Sequence, residues 1–540
     1  MTNWNFADIW EVVAEKLPDA QSLRQGNKIQ TWGEVNQRAN AIADFLTGQA
    51  RERQEKIAHY LYNCNEYLES LFAIFKAGLV PVNTNYRYGE DEILYLWDNA
   101  DVIAVIFHAV FTERIEKLKD RVPNIRSWIW VDDGSGDCPD WAVKYEDIAS
   151  KNVENFSPKW DRSGDDLYIL YTGGTTGMPK GVMWRQDDLF CVLNASNFVR
   201  WPENGTLDDI RRGLVAPGPV HLAACPLMHG TGAMTSFAAW STGGSIVTLT
   251  KRTFDPIELL DTVEQAKVNS IAIVGDAFAK PILRTLDENP GRWNLSSLFA
   301  IISSGVMWSE PVKKGLLKHH PNMILVDSLG SSEALGMGTS VSSAAKAEET
   351  AKFNLGENAI VIDENFKPIK PGTGQVGRVA VRGRTPIGYY KDEEKTKNTF
   401  PVIDGLRYSI PGDYATVFED GTIHVLGRGS VCINTGGEKV YPEEVEEVLK
   451  LNECVQDAAA VGVPDERFGE VVAAVIEPAK GCTIDSQEII DFVKSKLAGY
   501  KAPKYIVTRD SLNRSPSGKL DYGALKEFAV NQLNLKSATR

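Results

Sequence analysis

The sequence predicts an α/β protein with a large N-terminal domain and a small C-terminal domain, and three observations support this. Amphipathic helical segments alternate with short, uninterrupted apolar runs through most of the chain, which is typical of layered α/β folds with buried parallel strands. After about residue 372, apolar and polar residues alternate around turns, which predicts antiparallel strands. From residue 431 the pattern changes again, so we predict domains 1–429 and 430–540.

The individual elements follow in chain order. Residues 31–46 carry apolar side chains at helical spacing, and LESLFAIFK predicts a buried helix that leads through Gly78 into the strand LVPV. Residues 441–455 predict a helix with Pro442 near its start and acidic residues in its first turn. Apolar runs typical of buried strands lie at 101–107, 128–133, 245–250, 270–276, 298–304 and 323–330.

The composition excludes several classes of protein. The 540 residues include 58 Lys and Arg against 72 Asp and Glu, and the net charge of −14 has the wrong sign for a surface that binds nucleic acid throughout. Seven scattered cysteines form no CxxC pair, which argues against a disulfide framework or a zinc site and predicts reduced thiols in a cytoplasmic protein. We find no signal peptide and no run of the roughly 18 apolar residues that span a bilayer. We therefore expect no nucleic acid partner and no integral membrane segment.

Residues 171–181, YTGGTTGMPKG, have the composition of a phosphate-binding loop. Glycines let backbone N–H groups point into one concavity, threonine hydroxyls add donors, and Lys180 supplies a positive charge. The loop is not a Walker A motif, because Lys180 follows Met178-Pro179 and precedes Gly181. The glycines alone leave a flexible surface hairpin open as the alternative.

YTGGTTGMPKG resembles the nucleotide-phosphate loop of the AMP-forming acyl-CoA synthetases, a superfamily that includes peptide-synthetase adenylation domains and beetle luciferases. Because similar motifs run colinearly from about residue 30 to 520, the chain is identified as a member of this superfamily. Several of them look closest to bacterial steroid-side-chain and long-chain acyl-CoA ligases. The further motifs are KAGLVPVNTNYR (76–87), PLMHGTG (226–232), DSLGSSE (327–333), SIPGDYA (409–415), GRGSVCINTGGEKVYPEEVE (427–446) and NRSPSGKL (513–520).

The resemblance implies a fold and a reaction. The N-terminal domain would combine layered α/β subdomains with a β-barrel-like subdomain, and the C-terminal domain would be a small, mobile α+β unit. A carboxylate and ATP would give an acyl-adenylate and pyrophosphate, and coenzyme A would then displace AMP to give a thioester. The implied protein is an ATP-dependent acyl-CoA ligase that uses Mg²⁺ and coenzyme A. Its substrate would be a large hydrophobic carboxylate, either a steroid side-chain acid or a long-chain fatty acid.

Three residues would take catalytic roles by the same resemblance. Joining a carboxylate to the α-phosphate brings like charges together, so positioned cations must supply much of the catalysis. Lys519 would bridge a carboxylate oxygen and the α-phosphate. Glu333 would hold Mg²⁺, which often binds one or two carboxylates plus phosphates; a helix N-terminal acid before ALGMG is the alternative. His229 would position the acyl carboxylate or respond to pyrophosphate departure, although a lone histidine is more often structural.

The resemblance also assigns residues to the nucleotide and to coenzyme A. Asp413 would accept both ribose hydroxyls, with a cap of the preceding turn as the alternative, and Arg428 would donate to the ribose. Gly436 and Gly437 would let the pantetheine arm pass close to the backbone. The remaining nucleotide positions are Thr172, Gly173, Gly174, Thr175, Thr176, Gly177 and Lys180 in the phosphate loop, and Gly305, Val306, Asp327, Ser328, Leu329, Gly330, Ser331 and Ser332 around the base and the α-phosphate.

Two positions depart from the family pattern. Leu329 replaces an aromatic residue that stacks on adenine, so it keeps apolar contact and loses the π face. Ser430 lies where relatives often carry Asp or Lys at the hinge. Gly372, Gly374 and Gly377 also form the pattern GxGxxG of dinucleotide-binding motifs. A strand-like segment follows where that motif needs a helix, so we predict that this segment does not bind a dinucleotide.

Other functions stay open at this level. The acyl group could pass to a carrier protein, or the chain could be a nucleotide-binding regulatory protein with a decayed site, or a kinase, which would form ADP. The acyl pocket could include Ala233, Met234, Phe278 and Met307, but no spacing rule converts them into a chain length. A homodimer is one assembly compatible with the sequence.

Overall fold

The computed structural model of the protein describes residues 3–173, 178–435, 438–465, 467–515 and 518–535. The α-helices in these ranges are α1 (Phe6–Lys16), α2 (Trp32–Gln49), α3 (Asn65–Lys76), α4 (Glu90–Asn99), α5 (Thr112–Leu118), α6 (Tyr145–Ala149), α7 (Gln186–Ser196), α8 (Leu207–Gly213), α9 (Gly230–Trp240), α10 (Pro256–Ala266), α11 (Gly275–Glu288), α12 (Glu310–His319), α13 (Glu393–Thr399), α14 (Pro442–Leu449), α15 (Ser486–Lys494) and α16 (Tyr522–Gln532).

The strands alternate with these helices through the first half of the chain and then follow one another directly. They are β1 (Gln21–Gln25), β2 (Lys28–Thr31), β3 (Lys56–Tyr60), β4 (Val80–Asn83), β5 (Val102–His108), β6 (Ser127–Val131), β7 (Val143–Lys144), β8 (Leu167–Thr172), β9 (Lys180–Arg185), β10 (Val220–Ala223), β11 (Ser245–Thr248), β12 (Ser270–Ile273), β13 (Ala300–Ser304), β14 (Ile324–Ser331), β15 (Ala334–Ser342), β16 (Lys352–Leu355), β17 (Ala359–Ile362), β18 (Val376–Arg382), β19 (Gly388–Tyr389), β20 (Val402–Ile403), β21 (Leu406–Ser409), β22 (Asp413–Val417), β23 (Ile423–Arg428), β24 (Ile433–Thr435), β25 (Glu438–Val440), β26 (Val455–Asp465), β27 (Gly469–Pro478) and β28 (Tyr505–Thr508).

Two sheets form the layers of the N-terminal domain, and each contains a run of parallel strands. One runs β2-β1-β11-β10-β12-β13-β14 and continues through β15 and β16 into antiparallel strands that include β23, β22 and β18. The other runs β19-β9-β8-β4-β3-β5-β6-β7, with β8 and β9 forming an antiparallel hairpin. The predicted α/β class and the change to antiparallel strands are confirmed.

Helices fill the space between and outside these sheets. The largest core joins α1, α2, α3, α7 and α9, and its tryptophans Trp10, Trp32 and Trp240 are fully buried. Helices α10, α11 and α12 cover the outer face of the first sheet, and α4 and α5 cover the outer face of the second. Central parallel strands such as β5 and β12 are therefore buried on both faces, which explains the uninterrupted apolar runs of the sequence.

Local sequence signals fix several helix boundaries. Thr31 caps α2: its Oγ1 accepts a hydrogen bond from the Glu34 backbone N–H at 3.2 Å, and Glu34 Oε2 accepts one from the Thr31 N–H at 2.7 Å. The predicted helix at 31–46 is thus present and extends to Gln49. The helix that begins at Pro442 ends at Leu449, earlier than the predicted residue 455. The helix considered after Glu333 is wrong, because Ala334–Ser342 is a strand that pairs with β14.

The glycines of the GxGxxG pattern lie in a turn and a strand. Gly372 and Gly374 have φ of +74° and +70°, and Gly377 lies within β18. A strand and not a helix follows, so the prediction that this GxGxxG is not a dinucleotide-binding motif is confirmed.

A separate prediction concerned the membrane. Among the described residues, none of the helices is long and apolar enough to cross a bilayer.

The C-terminal part of the chain forms its own small sheet. Strands β25, β24, β27 and β26 pair in that order, with β28 parallel to β27. One face of this sheet packs against α14 and α15 and the other against α16. The chain leaves the N-terminal sheet after Arg428 and enters this one at Ile433, so the predicted boundary at 429/430 falls in the connection between two sheets.

Close backbone contacts hold the C-terminal part against the N-terminal part. The Arg428 N–H donates to Glu443 Oε1 at 3.3 Å, and burial raises the pKa of the Glu443 carboxyl to about 8. Gly427 has φ of +126°, and a Cβ built on it would lie 2.1 Å from Glu443 Oε2. Farther along the interface, Arg284 Nη2 donates to Gln456 Oε1 at 2.8 Å. A glycine at 427 is therefore a condition for this docked arrangement.

We expect Gly427→Ala to loosen the docked arrangement by about 1–3 kcal/mol, because the new methyl group displaces Glu443. Limited proteolysis of the connection at 429–435 should then be faster. Gly421→Ala is the matched control, since Gly421 also has a positive φ, +82°, but has open space around its Cβ position. Equal proteolysis of the two variants would contradict this account. Adding Glu443→Ala to Gly427→Ala should restore much of the protection.

Candidate functional site

Several of the predicted site residues lie close together where parallel strands end, and we call the space beside them the cleft. Gly305 follows β13, residues 327–331 end β14, and His229 precedes α9. A Cβ built on Gly305 would lie 3.9 Å from Thr231 Oγ1, and one built on Gly230 would lie 3.7 Å from Ser332 Oγ. The segments around PLMHGTG and DSLGSSE, distant in sequence, are thus neighbours where open α/β sheets usually bind ligands.

A tight turn of the C-terminal part brings Lys519 to this cleft. The Gly518 N–H donates to the Ser515 carbonyl at 2.8 Å, and the Lys519 N–H donates to Ser515 Oγ at 3.0 Å. A Cβ on Gly518, where φ is +73°, would lie 2.9 Å from Val306 Cγ2. The turn therefore presses its backbone directly against the N-terminal part and fixes where the Lys519 side chain begins.

Lys519 stands among charged groups of the N-terminal part. Surrounding protein atoms and the Arg428 guanidinium lower the pKa of the Lys519 ammonium, while Glu333 and Asp413 raise it less. The side chain nonetheless keeps solvent contact. Within the described part of the chain this ammonium has two carboxylates nearby but no close ion pair, which suits it to engaging an anion that enters the cleft.

Asp413 and Arg428 face each other across two paired strands. Asp413 begins β22 and pairs in register with Arg428 at the end of β23, and Arg428 Nε lies 3.4 Å from Asp413 Oδ1. The Asp413 carboxylate raises the pKa of Arg428. The second oxygen, Oδ2, is buried, and none of the residues that the structure describes donates a hydrogen bond to it. Because a buried acceptor without a partner is costly, this oxygen is set up for a donor from a ligand.

His229 offers a second unpartnered atom. It is the N-cap residue of α9, and its Nε2 is buried and has no hydrogen-bond partner among the described residues. Burial, with a smaller effect from the Lys519 charge, lowers the pKa of the ring to about 3. The ring is therefore neutral at physiological pH, and a hydrogen bond, not a charge, is what it can offer a bound molecule.

Glu333 is held from both ends. Its carbonyl accepts a hydrogen bond from Ser409 Oγ at 2.6 Å, and its Oε1 accepts one from the Tyr389 hydroxyl at 3.0 Å. Within the described ranges, no group of three or more His, Cys, Asp or Glu residues could hold a metal ion. The fit here is to Mg²⁺, because that ion binds through one or two carboxylates and takes its other ligands from phosphates and water.

Strand β14 carries the remaining DSLGSSE residues. The Asp327 carboxylate is buried against Lys313, with 3.3 Å between Nζ and Oδ2, and burial raises its pKa to about 6. Its side chain is thus engaged inside the fold. Leu329 packs against the apolar core of the antiparallel strands. The Ser332 carbonyl accepts a hydrogen bond from Trp184 Nε1 at 2.9 Å, whereas Ser331 Oγ is buried and finds no partner in the ranges that the structure describes.

The phosphate loop connects the two strands of a hairpin. Thr172 pairs with Lys180 across β8 and β9, and Lys180 Nζ lies 3.8 Å from Asp392 Oδ2. A Cβ on Gly173 would lie 3.3 Å from the Tyr88 hydroxyl. Gly174, Thr175, Thr176 and Gly177 lie outside the described residues, as do Gly436 and Gly437.

The apolar residues proposed for the acyl pocket lie around the same helices. Ala233 and Met234 are buried on α9, and Phe278 is buried on α11 with its ring 4.5 Å from that of Phe254. The Met307 carbonyl accepts from the Asp276 N–H at 3.2 Å. Their assignment to a pocket stays a prediction.

Three residues of the site were not predicted from the sequence. Tyr389 contacts Glu333, Lys395 lies beside Lys180, and Lys313 neutralises Asp327. Lys313 and Lys395 occupy ordinary amphipathic helices, so nothing in their local sequence distinguishes them. Tyr389 lies in the run GYYKDEE. Only the fold shows that this run pairs with β9, in the hairpin of β8 and β9 that we call the phosphate hairpin.

Family models and curated relatives match this chain over nearly its whole length. The model of the family described as AMP-binding enzyme matches residues 10–390, and that of the AMP-binding enzyme C-terminal domain matches residues 444–519. The chain is 40% identical to the 3-oxocholest-4-en-26-oate--CoA ligase of Rhodococcus rhodochrous, covering 99% of this chain and 97% of that protein. It is 39% identical to the Medium/long-chain-fatty-acid--CoA/3-oxocholest-4-en-26-oate--CoA ligase of Mycobacterium tuberculosis strain H37Rv, covering 97% and 96%.

A solved structure shares the whole fold. The crystal structure of the anthranilate CoA ligase AuaEII in complex with anthranoyl-AMP matches with a TM-score of 0.84 at 20% identity, covering 99% of this chain and 98% of that one. The match therefore includes both the large and the small part of the molecule.

We expect the His229 ring to stay neutral from pH 8 down to about pH 5, because its pKa of about 3 lies well below the 6.5 of an unperturbed histidine. The unfolded ring takes up a proton below about pH 6.5 and the folded ring does not, so this residue makes the fold less stable as pH falls. NMR of histidines labelled at Cε1, with His229→Gln for assignment, measures this. Lys519→Met should move the midpoint upward. A His229 midpoint near pH 6.5 in the unaltered protein would refute the argument.

Proposed function

The chain belongs to the AMP-binding enzyme family, as its ordered motifs predicted, and from this premise we propose that it is an ATP-dependent acyl-CoA ligase acting on a large hydrophobic carboxylate. The observation that carries the proposal is the meeting of Lys519, from the C-terminal part, with Glu333 and Asp413 of the N-terminal part in one cleft. The relatives named for 3-oxocholest-4-en-26-oate and for medium- and long-chain fatty acids support a steroid side-chain acid or a long-chain fatty acid as substrate.

Adenylate formation has one main obstacle, the repulsion between a carboxylate and the phosphates of ATP. In the proposed mechanism Lys519 lies between the two and stabilises the negative charge that builds up on the α-phosphate. Its pKa is lowered, but the nearby Glu333 and Asp413 help to keep the ammonium charged. Because the side chain reaches the cleft from a separate sheet, its position depends on how the C-terminal part is docked.

The ribose and the acyl carboxylate would take up the unpartnered atoms of the cleft. Asp413 Oδ2 would accept a ribose hydroxyl, and Arg428 would support the same group from the adjoining strand. The neutral His229 ring would use Nε2 to orient the acyl carboxylate. Leu329 would give adenine apolar contact without stacking, so Gly305 and Val306 would contribute more to holding the base.

Glu333 would hold Mg²⁺, with Tyr389 fixing the direction of the carboxylate. Mg²⁺ at this place would neutralise charge on the phosphate oxygens as a Lewis acid.

For the second half-reaction, the C-terminal part would rotate about the connection after Arg428, and its glycine loop would replace Lys519 at the cleft. The thiol of coenzyme A would then attack the acyl carbonyl and release AMP.

Product analysis tests the proposed function. The protein is incubated with ATP, Mg²⁺, coenzyme A and a panel of short, medium, long-chain and steroid side-chain carboxylates, and the products are identified by mass spectrometry. AMP together with one class of acyl-CoA is the expected result. Adenylate without thioester would favour a carrier-protein acceptor, ADP would favour a kinase, and no nucleotide product with any acid would favour a regulatory protein.

We expect Lys519→Ala to slow adenylate formation by about 100- to 1000-fold, the range seen when one positioned electrostatic group is removed. Conversion of supplied acyl-adenylate to acyl-CoA should remain near the unaltered rate, because Lys519 has no part in that step. ATP–pyrophosphate exchange measures the first half and thioester formation the second. Lys504→Ala, at an exposed lysine that pairs with Asp465 in the same domain, is the control. Equal loss of both half-reactions would contradict the division of roles.

A further inference from the structure

Two lysines that lie far apart in the sequence meet beside Glu333. Lys180 begins β9, and Lys395 lies on α13. The short strand β19 pairs with β9, with Tyr389 opposite Val182, and so fixes α13 against the phosphate hairpin. The two ammonium groups are close enough to interact directly, and burial together with Lys180 lowers the pKa of Lys395.

The protein itself leaves this pair of cations poorly neutralised. Two carboxylates, Glu333 and Asp392, act on Lys395, and Asp392 Oδ2 lies 3.8 Å from Lys180 Nζ, beyond hydrogen-bond distance. Asp392 is also occupied as the cap of α13, where its Oδ1 accepts from the Lys395 N–H at 3.0 Å. Two like charges held together in a half-buried place repel each other, and an anion bound between them would offset that repulsion.

Tyr389 ties this pair to the rest of the cleft. Its hydroxyl donates to Glu333 Oε1 at 3.0 Å, and Lys395 Nζ lies 5.4 Å from the centroid of its ring. A single buried side chain thus sets the direction of the Glu333 carboxylate and supports Lys395 through a cation–π contact. The lysine pair and Glu333 therefore belong to one arrangement.

The positions of the charged groups relative to one another indicate which part of a bound nucleotide would lie next to Lys180 and Lys395. Asp413 and Arg428 mark the ribose end, and Lys519 lies next to them and to Glu333. Lys180 and Lys395 are also near Glu333, but on the hairpin and α13. If the ribose lies at Asp413 and the α-phosphate at Lys519, the β- and γ-phosphates extend towards this pair.

We propose that Lys395, together with Lys180, is a binding site for the β- and γ-phosphates of ATP and for the pyrophosphate that leaves. This inference rests on the proposed function. In the first half-reaction a bond forms between a carboxylate oxygen and the α-phosphorus, and the bond from that phosphorus to the bridging oxygen breaks. The electron pair leaves with pyrophosphate, and Lys395 stabilises the charge that collects there.

Three variants test this role. Lys395→Ala should weaken binding of magnesium pyrophosphate by about 10- to 100-fold and raise the KM for ATP by a similar factor, the size of a lost charge-assisted hydrogen bond. Lys395→Arg should retain most of the binding, because the charge remains. Lys397→Ala, at an exposed lysine of the same helix, should match the unaltered protein.

Three measurements separate phosphate binding from a purely structural role. Calorimetry with inorganic pyrophosphate and Mg²⁺ should show the loss in Lys395→Ala, whereas the affinity for AMP should stay unchanged. Thioester formation from supplied acyl-adenylate should also stay unchanged, because no pyrophosphate takes part. A structural role would affect all three, and this outcome would overturn the inference, as would unaltered pyrophosphate binding.

The same experiments distinguish failure of this inference from failure of the proposed function. If the unaltered protein makes acyl-CoA but Lys395→Ala binds pyrophosphate normally, only the role of Lys395 is wrong. If the unaltered protein forms no AMP with any acid, the proposed function is wrong. The calorimetric comparison of Lys395→Ala with Lys397→Ala then still decides whether Lys395 binds pyrophosphate.

Discussion

Close backbone contact between the two parts of the chain is the constraint on which the candidate site depends. At Gly427 a side chain would collide with Glu443, and at Gly518 one would collide with Val306. Because the backbones approach this closely, the turn that carries Lys519 is fixed against the cleft to within the width of a methyl group. So close a contact leaves no room for small displacements, so the two parts are either docked or apart. This suits a domain that presents a catalytic group in one arrangement and removes it in another.

The charges in the cleft can be understood from the same constraint. Lys519, Arg428, Lys180 and Lys395 come from four separate segments of the chain. Lys519 interacts with Glu333 and Asp413, Arg428 pairs with Asp413, and Lys395 interacts with Lys180 and Glu333. Each ammonium loses part of its hydration there, and burial lowers the pKa of both Lys519 and Lys395. Separate rigid elements are needed to hold such groups together, since they repel one another until a polyanion arrives. The cleft is preorganised for negative charge and does not have to rearrange around it.

Sequence patterns predicted the fold well for strands that are buried on both faces of a sheet. They predicted it poorly for segments whose residues are compatible with either a helix or a strand. The apolar runs at 101–107 and 270–276 are strands because sheet and helix layers cover both of their faces. ALGMG after Glu333 has a composition compatible with a helix, but strand pairing with β14 decided otherwise. The helix from Pro442 stops at Leu449, where a turn leads directly into β26, and local propensity did not mark that end.

The sequence by itself determined the family and the order of the motifs, because the motifs are short, specific and colinear. Through the resemblance of those motifs it also predicted roles for Lys519, Glu333, Asp413 and Arg428. Only the tertiary structure decided which groups meet. Asp327 is engaged by Lys313, Glu333 by Tyr389, and Lys180 has Lys395 beside it. These pairings join positions up to about two hundred residues apart. Sequence spacing carries no information about such distances, since strand order and domain docking, not chain proximity, bring the side chains together.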